Sequence, residues 1–192
     1  ANHVAVGAWH SCATIGSGPD SGKVKCWGYD AQGQLGNGGA STSATPDFVL
    51  NLTNVSQMAM AGYHSCALIG SGPDVGAVKC WGADAWGETG DGGAFAHQHL
   101  PVTAVASGAS QVVAGYDNAC AFMSSGINAG NIMCWGGNNY GQLLGLATYG
   151  SYSGPGSTVA IVGLGTSDVL QIALGDDHSC AVMNDRSVKC WG

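Results

Sequence analysis

The chain has 192 residues, a one-domain length, with 45% hydrophobic content, 33 glycines and only 9% charged residues against a usual ~25%. A net charge of −7 with five scattered basic residues excludes a phosphate-backbone binder. The apolar runs are far too short to cross a bilayer, so no membrane insertion is expected.

Low charge and abundant glycine are features of disordered chains, but Val, Ile, Leu, Met and Trp return regularly and supply a burying face. The chain starts at Ala1 with no signal peptide, so it reads as a mature product or a fragment of something longer.

The first unit carries a strand His10-Ser11-Cys12-Ala13, a turn from Gly16 to Gly22 centred on Pro19-Asp20, and a returning strand Val24-Lys25-Cys26-Trp27-Gly28. With Cys12 opposite Cys26, the register also sets Ile15 opposite Lys23. The second unit adds a leading strand Ser56-Gln57-Met58-Ala59-Met60, then Gly62, His64-Ser65-Cys66-Ala67 and Val78-Lys79-Cys80-Trp81-Gly82. The third repeats Ser110-Gln111-Val112-Val113, Gly115, Asn118-Ala119-Cys120-Ala121 and Met133-Cys134-Trp135-Gly136. The fourth runs from Leu170-Gln171-Ile172-Ala173-Leu174 through Gly175 and His178-Ser179-Cys180-Ala181 to Lys189-Cys190-Trp191-Gly192. Its turn shrinks to Asn184-Asp185-Arg186, yet Cys180 and Cys190 stay opposite each other.

First cysteines step by 54, 54 and 60 residues, a period typical of a propeller or solenoid. Four cross-strand disulfides are expected, Cys12–Cys26, Cys66–Cys80, Cys120–Cys134 and Cys180–Cys190. Zinc is the competing reading, but the cysteines lack the close two-to-four-residue pairing of structural zinc sites. Disulfides point to an extracellular, secreted or cell-surface protein.

The stretches Val6-Gly7-Ala8-Trp9-His10-Ser11-Cys12-Ala13 and Trp27-Gly28-Tyr29-Asp30-Ala31-Gln32-Gly33-Gln34-Leu35-Gly36 resemble the repeat of the regulator of chromosome condensation family. Trp135-Gly136-Gly137-Asn138-Asn139-Tyr140-Gly141-Gln142-Leu143 is similar, and Gly87-Glu88-Thr89-Gly90 is looser. The resemblance implies an all-β fold, a β-propeller of four-stranded antiparallel blades. About three and a half to four blades are expected here, the arc of a larger propeller or assembly. The expected organisation is one domain, 1–192, in units of approximately 1–53, 54–107, 108–167 and 168–192. The resemblance also brings nucleotide exchange on a small GTPase, which sits badly with disulfides and the compartment they imply.

Candidate sites are few. His10, His64 and His178 recur, and are read as satisfying backbone groups at the strand start rather than as catalysts. Ser11, Ser65 and Ser179 adjoin them in sequence but point to the opposite face, so no triad is expected. His97 and His99 share a strand face and form a weak metal candidate that lacks a third ligand. Asp30, Asp84 and Asn138 read as turn formers, and Trp27, Trp81, Trp135 and Trp191 as core. Trp9, Tyr63 and Tyr116 are read as one variable position in the link before the His-Ser strand. With Trp86 and Tyr140 beside a glycine turn, they form a candidate binding face; the competing reading is that they cap the blade ends by packing. Asn51 and Asn54 head overlapping glycosylation sequons.

The reading is therefore a non-enzymatic extracellular propeller-repeat scaffold for adhesion, structure or protein recognition, a segment of a larger surface protein or filament. The alternative is a secreted inhibitor or binding module with an aromatic loop face, and the third an enzyme with a pocket site. Expected partners are a protein or further copies of the chain, with no nucleic acid and no cofactor.

Overall fold

The computed structural model describes residues 1–93, 96–143, 152–159 (backbone path) and 169–192. Glycine-rich turns cut the chain into short β-branched and apolar runs, which form strands. Four compose the first sheet: His3–Val6 (β1), His10–Thr14 (β2), Val24–Gly28 (β3) and Ser43–Phe48 (β4). The second has Val55–Met60 (β5), His64–Ile69 (β6), Val78–Gly82 (β7) and Gln98–Val105 (β8). The third has Ala109–Ala114 (β9), Asn118–Met123 (β10), Ile132–Gly136 (β11) and Tyr152–Val159 (β12). The last has Val169–Leu174 (β13), Ser179–Met183 (β14) and Val188–Trp191 (β15).

Within each sheet the strands follow sequence order and pair antiparallel with their neighbours. This meander is a propeller blade, and the described chain holds three four-stranded blades and one of three strands. Unit divisions at 53/54 and 107/108 fall between β4 and β5 and between β8 and β9; the one at 167/168 lies outside the described residues.

The core lies between sheets. Val24, Cys26, Leu35 and Val49 of the first blade pack against Met58, Ala67, Ile69 and Trp81 of the second. Leu68, Val78 and Cys80 meet Val112, Ala121, Met123 and Trp135 in the same way, and the third and fourth blades repeat the pattern. An inner blade therefore buries both faces, and β6 is buried at every position. Fully burying one such large apolar side chain contributes about 1.5–3 kcal/mol, so the junctions supply most of the driving force.

Each cysteine pair is directly cross-strand, with Cα atoms 4.1 Å apart in all four bonds. That separation belongs to the narrow, non-hydrogen-bonded pairing sites of an antiparallel ladder. Every cysteine is used, and each bond closes a hairpin within its own blade.

The leading strands β1, β5, β9 and β13 contact one another in sequence and form the inner side of the arc. Gln57, part of the repeated Gln motif, bridges two of them. Its Nε2 donates to Val112 O at 2.9 Å, and its Oε1 accepts from Val112 N at 3.1 Å.

Candidate functional site

The loops that follow each Trp-Gly are rigid, and the reason is visible in their sequence. Asp30 Oδ1 accepts from Leu35 N at 2.8 Å, Asp84 Oδ1 from Thr89 N at 2.8 Å, and Asn138 Oδ1 from Leu143 N at 2.9 Å. These turn formers are buried, and burial raises the carboxyls of Asp30 and Asp84 above their usual range. A second side chain folds back in each loop. Gln34 Oε1 holds Gln32 N, Glu88 Oε2 holds Trp86 N at 2.7 Å, and Gln142 Oε1 holds Tyr140 N. Glu88 replaces an amide by an acid at a buried site, and burial pushes its pKa up to about 7. Trp86 and Tyr140 are thereby fixed by their backbones while their rings stay exposed.

Each loop is also locked to the next blade. Trp81 Nε1 donates to Gln34 O at 2.8 Å, Trp135 Nε1 to Glu88 O at 2.9 Å, and Trp191 Nε1 to Gln142 O at 3.1 Å. Trp81 and Trp135 are fully buried by this contact, whereas Trp27 and Trp191 are half-buried. The glycine after Trp is required by a close approach. Gly28 and Gly82 hold φ near +115° and +105°, and a Cβ there would lie 2.6 Å from Trp9 O and 2.5 Å from Tyr63 O.

One of the repeated histidines, His10, bonds to the neighbouring blade rather than to its own strand. His10 Nε2 lies 2.7 Å from Ser65 Oγ of the next blade, and that hydroxyl also reaches Gln34 O at 3.3 Å. The sequence reading placed Ser and His on opposite faces of one strand; the bond joins residues of neighbouring blades instead. A Ser–His contact of this length invites a nucleophilic reading, but both residues are shut off from solvent. Burial also depresses His10 to about 4, leaving it a poor base at neutral pH, and no carboxylate orients its other nitrogen among the described residues. The pair is a clasp between blades.

At the next junction the serine position is Ala119. His64 is fully buried, neither ring nitrogen has a protein partner among the described residues, and burial with a contribution from His10 lowers it to about 3. His178 is exposed. His97 and His99 do not converge: Asp84 N donates to His97 Nδ1 at 3.4 Å, while His99 Nδ1 lies 2.6 Å from Gly39 O in the first blade. No group of three metal-ligating side chains gathers among the described residues.

One alignment made from the sequence is corrected. Gly7 N, Ala61 N, Gly115 N and Gly175 N each bond the carbonyl of the strand-opening residue three positions on. The links are therefore 8–9, 62–63, 116–117 and 176–177. Likewise Trp9 O, Tyr63 O and Asp117 O accept from Tyr29 N, Ala83 N and Gly137 N. Asp117, not Tyr116, is the equivalent of Trp9 and Tyr63, and Tyr116 corresponds to Ala8 and Gly62. Gly62 is the conspicuous glycine of the second unit, but it stands one residue past the place that Gly115 holds in the third.

The aromatic rings nevertheless meet. Tyr29 and Tyr63 stack edge-to-face at 6.2 Å, and Tyr63 and Tyr116 at 6.0 Å. Tyr116 lies against Gly62, with ring atoms 2.8 Å from where a Cβ would sit. Sequence reasoning missed Tyr29, whose signal is only its place one residue after Trp-Gly. The ladder continues into acid. Burial, then Asp177 and Asp176, raise Asp117, and Asp117 and Trp86 both flank Gly137. Trp9, Trp86, Tyr116 and Tyr140 are exposed, and Tyr63 is half-buried.

Blades of this topology, joined through Trp and loop contacts, define a β-propeller repeat protein. Residues 21–68 and 169–192 each match the Regulator of chromosome condensation (RCC1) repeat, so the chain carries repeats of that family, here with a disulfide in each hairpin. It is 30% identical over 98% of its length to the probable E3 ubiquitin-protein ligase HERC6 of Homo sapiens, of which it spans 18%. It is 28% identical to the ultraviolet-B receptor UVR8 of Arabidopsis thaliana, covering 98% of this chain and 40% of the receptor. The chain thus spans less than half the length of these relatives. Among solved structures, yeast RCC1 (Prp20) bound to Kap60 superposes with a TM-score of 0.76 at 18% identity, over 99% of this chain and 43% of that one.

Proposed function

We propose that the chain is a non-enzymatic, extracellular propeller-repeat scaffold that recognises a protein through its aromatic loop face, as a segment of a larger surface protein or filament. The observation that carries this is the edge-to-face row Tyr29–Tyr63–Tyr116 on loops whose backbones are fixed by blade contacts. Aromatic rings held in place before binding lose little entropy on docking and are the residues most often found in hot spots. Four disulfides support an oxidising location. Yeast RCC1, alike in fold, is itself a protein binder, bound to Kap60 in its crystal structure. A secreted inhibitor would use the same face on a single partner.

The test is cross-linking capture from the native extracellular medium, comparing the wild type with a Tyr63→Ala/Tyr116→Ala variant whose four disulfides are checked by mass. Partners held by the wild type and lost by the variant are expected. Partners bound equally by both would overturn the reading.

A further inference from the structure

We propose that the hollow beside Tyr116 receives an arginine side chain from the protein partner. This deepens, and rests on, the recognition role assigned to the aromatic face. The hollow measures about 200 Å³ and opens where the inner strands meet their links. Gly7, Gly62, Gly115 and Gly175 line it beside apolar residues of the inner strands, and Tyr116 and Asp176 are its aromatic and acidic members. Glycine at those places is not incidental. A Cβ at Gly115 would strike Asn118 Oδ1 and come within 2.5 Å of Gly175 O, so this stretch of the wall carries no side chain. A ring beside side-chain-free glycines offers a stacking surface for a planar guanidinium that a branched side chain cannot use as well.

The electrostatics select the sign of the guest. Asp176 and Asp177 are exposed and Asp117 is half-buried, and Asp176 and Asp177 both act on Asp117. The five basic residues of the chain lie elsewhere. Lys23 pairs with Asp20 at 2.7 Å, Lys25 sits over Phe48, and Lys79 pairs with Asp74. Arg186 and Lys189 belong to the hairpin of the fourth blade. Two imidazoles back onto the glycines of the hollow, His178 behind Gly175 and His10 behind Gly7. An arginine entering the hollow can lie on Tyr116 and direct its paired N–H groups at Asp176, combining a cation–π contact with a charge-assisted hydrogen bond. Lysine offers a point charge without the stacking plane, and a phosphate or acidic peptide would be repelled.

The experiment is an NMR titration of ¹⁵N-labelled protein with acetyl-Gly-Arg-Gly-amide, and with acetyl-Gly-Gln-Gly-amide as the neutral counterpart. Saturable shifts confined to Gly62, Gly115, Tyr116 and Asp176 are expected with the arginine peptide and not with the glutamine one. Asp176→Asn should weaken binding about fivefold, the upper range for an exposed ion pair. Tyr116→Leu should weaken it too, and Asp20→Asn at the far hairpin should not. Equal shifts with both peptides, shifts spread over the whole surface, or unchanged binding in Asp176→Asn would each overturn the proposal. A protein partner that depends on Tyr63 and Tyr116, found with a chain that ignores the arginine peptide, would sink this inference and leave the recognition reading intact.

Discussion

Replacing Glu88 by Gln should stabilise the protein, and by an amount that grows with pH. Glu88 is 2% exposed, its carboxyl accepts from Trp86 N, and the equivalent residues Gln34 and Gln142 make the same bond with an amide. The substitution therefore keeps the shape and the hydrogen bond and removes only the ionisation. Burial raises the Glu88 pKa from 4.5 to about 7, with Asp117 and Asp84 adding repulsion. The folded state thus holds a proton that the unfolded chain releases. The stability tied to Glu88 is whole below pH 4.5 and is lost as pH rises towards and through about 7. At ~1.4 kcal/mol per pKa unit the loss comes to about 3 kcal/mol. Guanidinium unfolding without reductant, at pH 4 and pH 8.5, reads it directly. Glu88→Gln should match the wild type at the lower pH and exceed it by about 3 kcal/mol at the higher one. Asp84 and Asp117 are present in both proteins, so the difference between the two proteins reads the Glu88 charge together with its repulsion from these two carboxylates. A difference that does not grow with pH would refute the assignment.

Ala119→Ser should give His64 the partner that His10 already has, raising stability by about 1 kcal/mol and the Tm by about 2–4 °C. An unchanged or lower Tm would show that the second junction has no room for the clasp. Trp135→Phe removes the indole bond to Glu88 O and leaves that carbonyl unpaired, at a cost of about 1–3 kcal/mol by chemical denaturation. Joint replacement of Cys66 and Cys80 by Ser opens a loop with a sequence separation of 14 and should cost about 3 kcal/mol, with intact mass confirming the other three bonds. Gly115→Ala should disrupt the third junction by about 1–3 kcal/mol, because its Cβ has nowhere to go between Asn118 and Gly175.

The repeat was legible because its strongest marks are covalent or bulky. Cysteines facing each other fix a hairpin register whatever the turn length, and Trp-Gly marks where a strand ends. What escaped the sequence lies in contacts between units. Ser65 and His10 are 55 residues apart, and no local spacing pairs them. The Gln57 clasp on Val112 and the Trp bonds to loop carbonyls are equally remote in sequence. Glu88 reads as a surface acid until the loop is seen folded over it. The slip by one residue at Tyr116 has the same origin. Gly62 looks like the counterpart of Gly115, but the backbone bonds assign that place to Ala61.

All four covalent crosslinks sit inside blades, and the blade junctions depend wholly on packing and hydrogen bonds. A pulling force applied along the chain would therefore part the junctions and stop at the hairpins. Sequence separations of 14, 14, 14 and 10 leave 52 residues out of the extensible length. At ~3.4 Å per residue that withholds roughly 180 Å of contour. Each blade keeps a locked template on which its neighbour's Trp can reseat when tension falls.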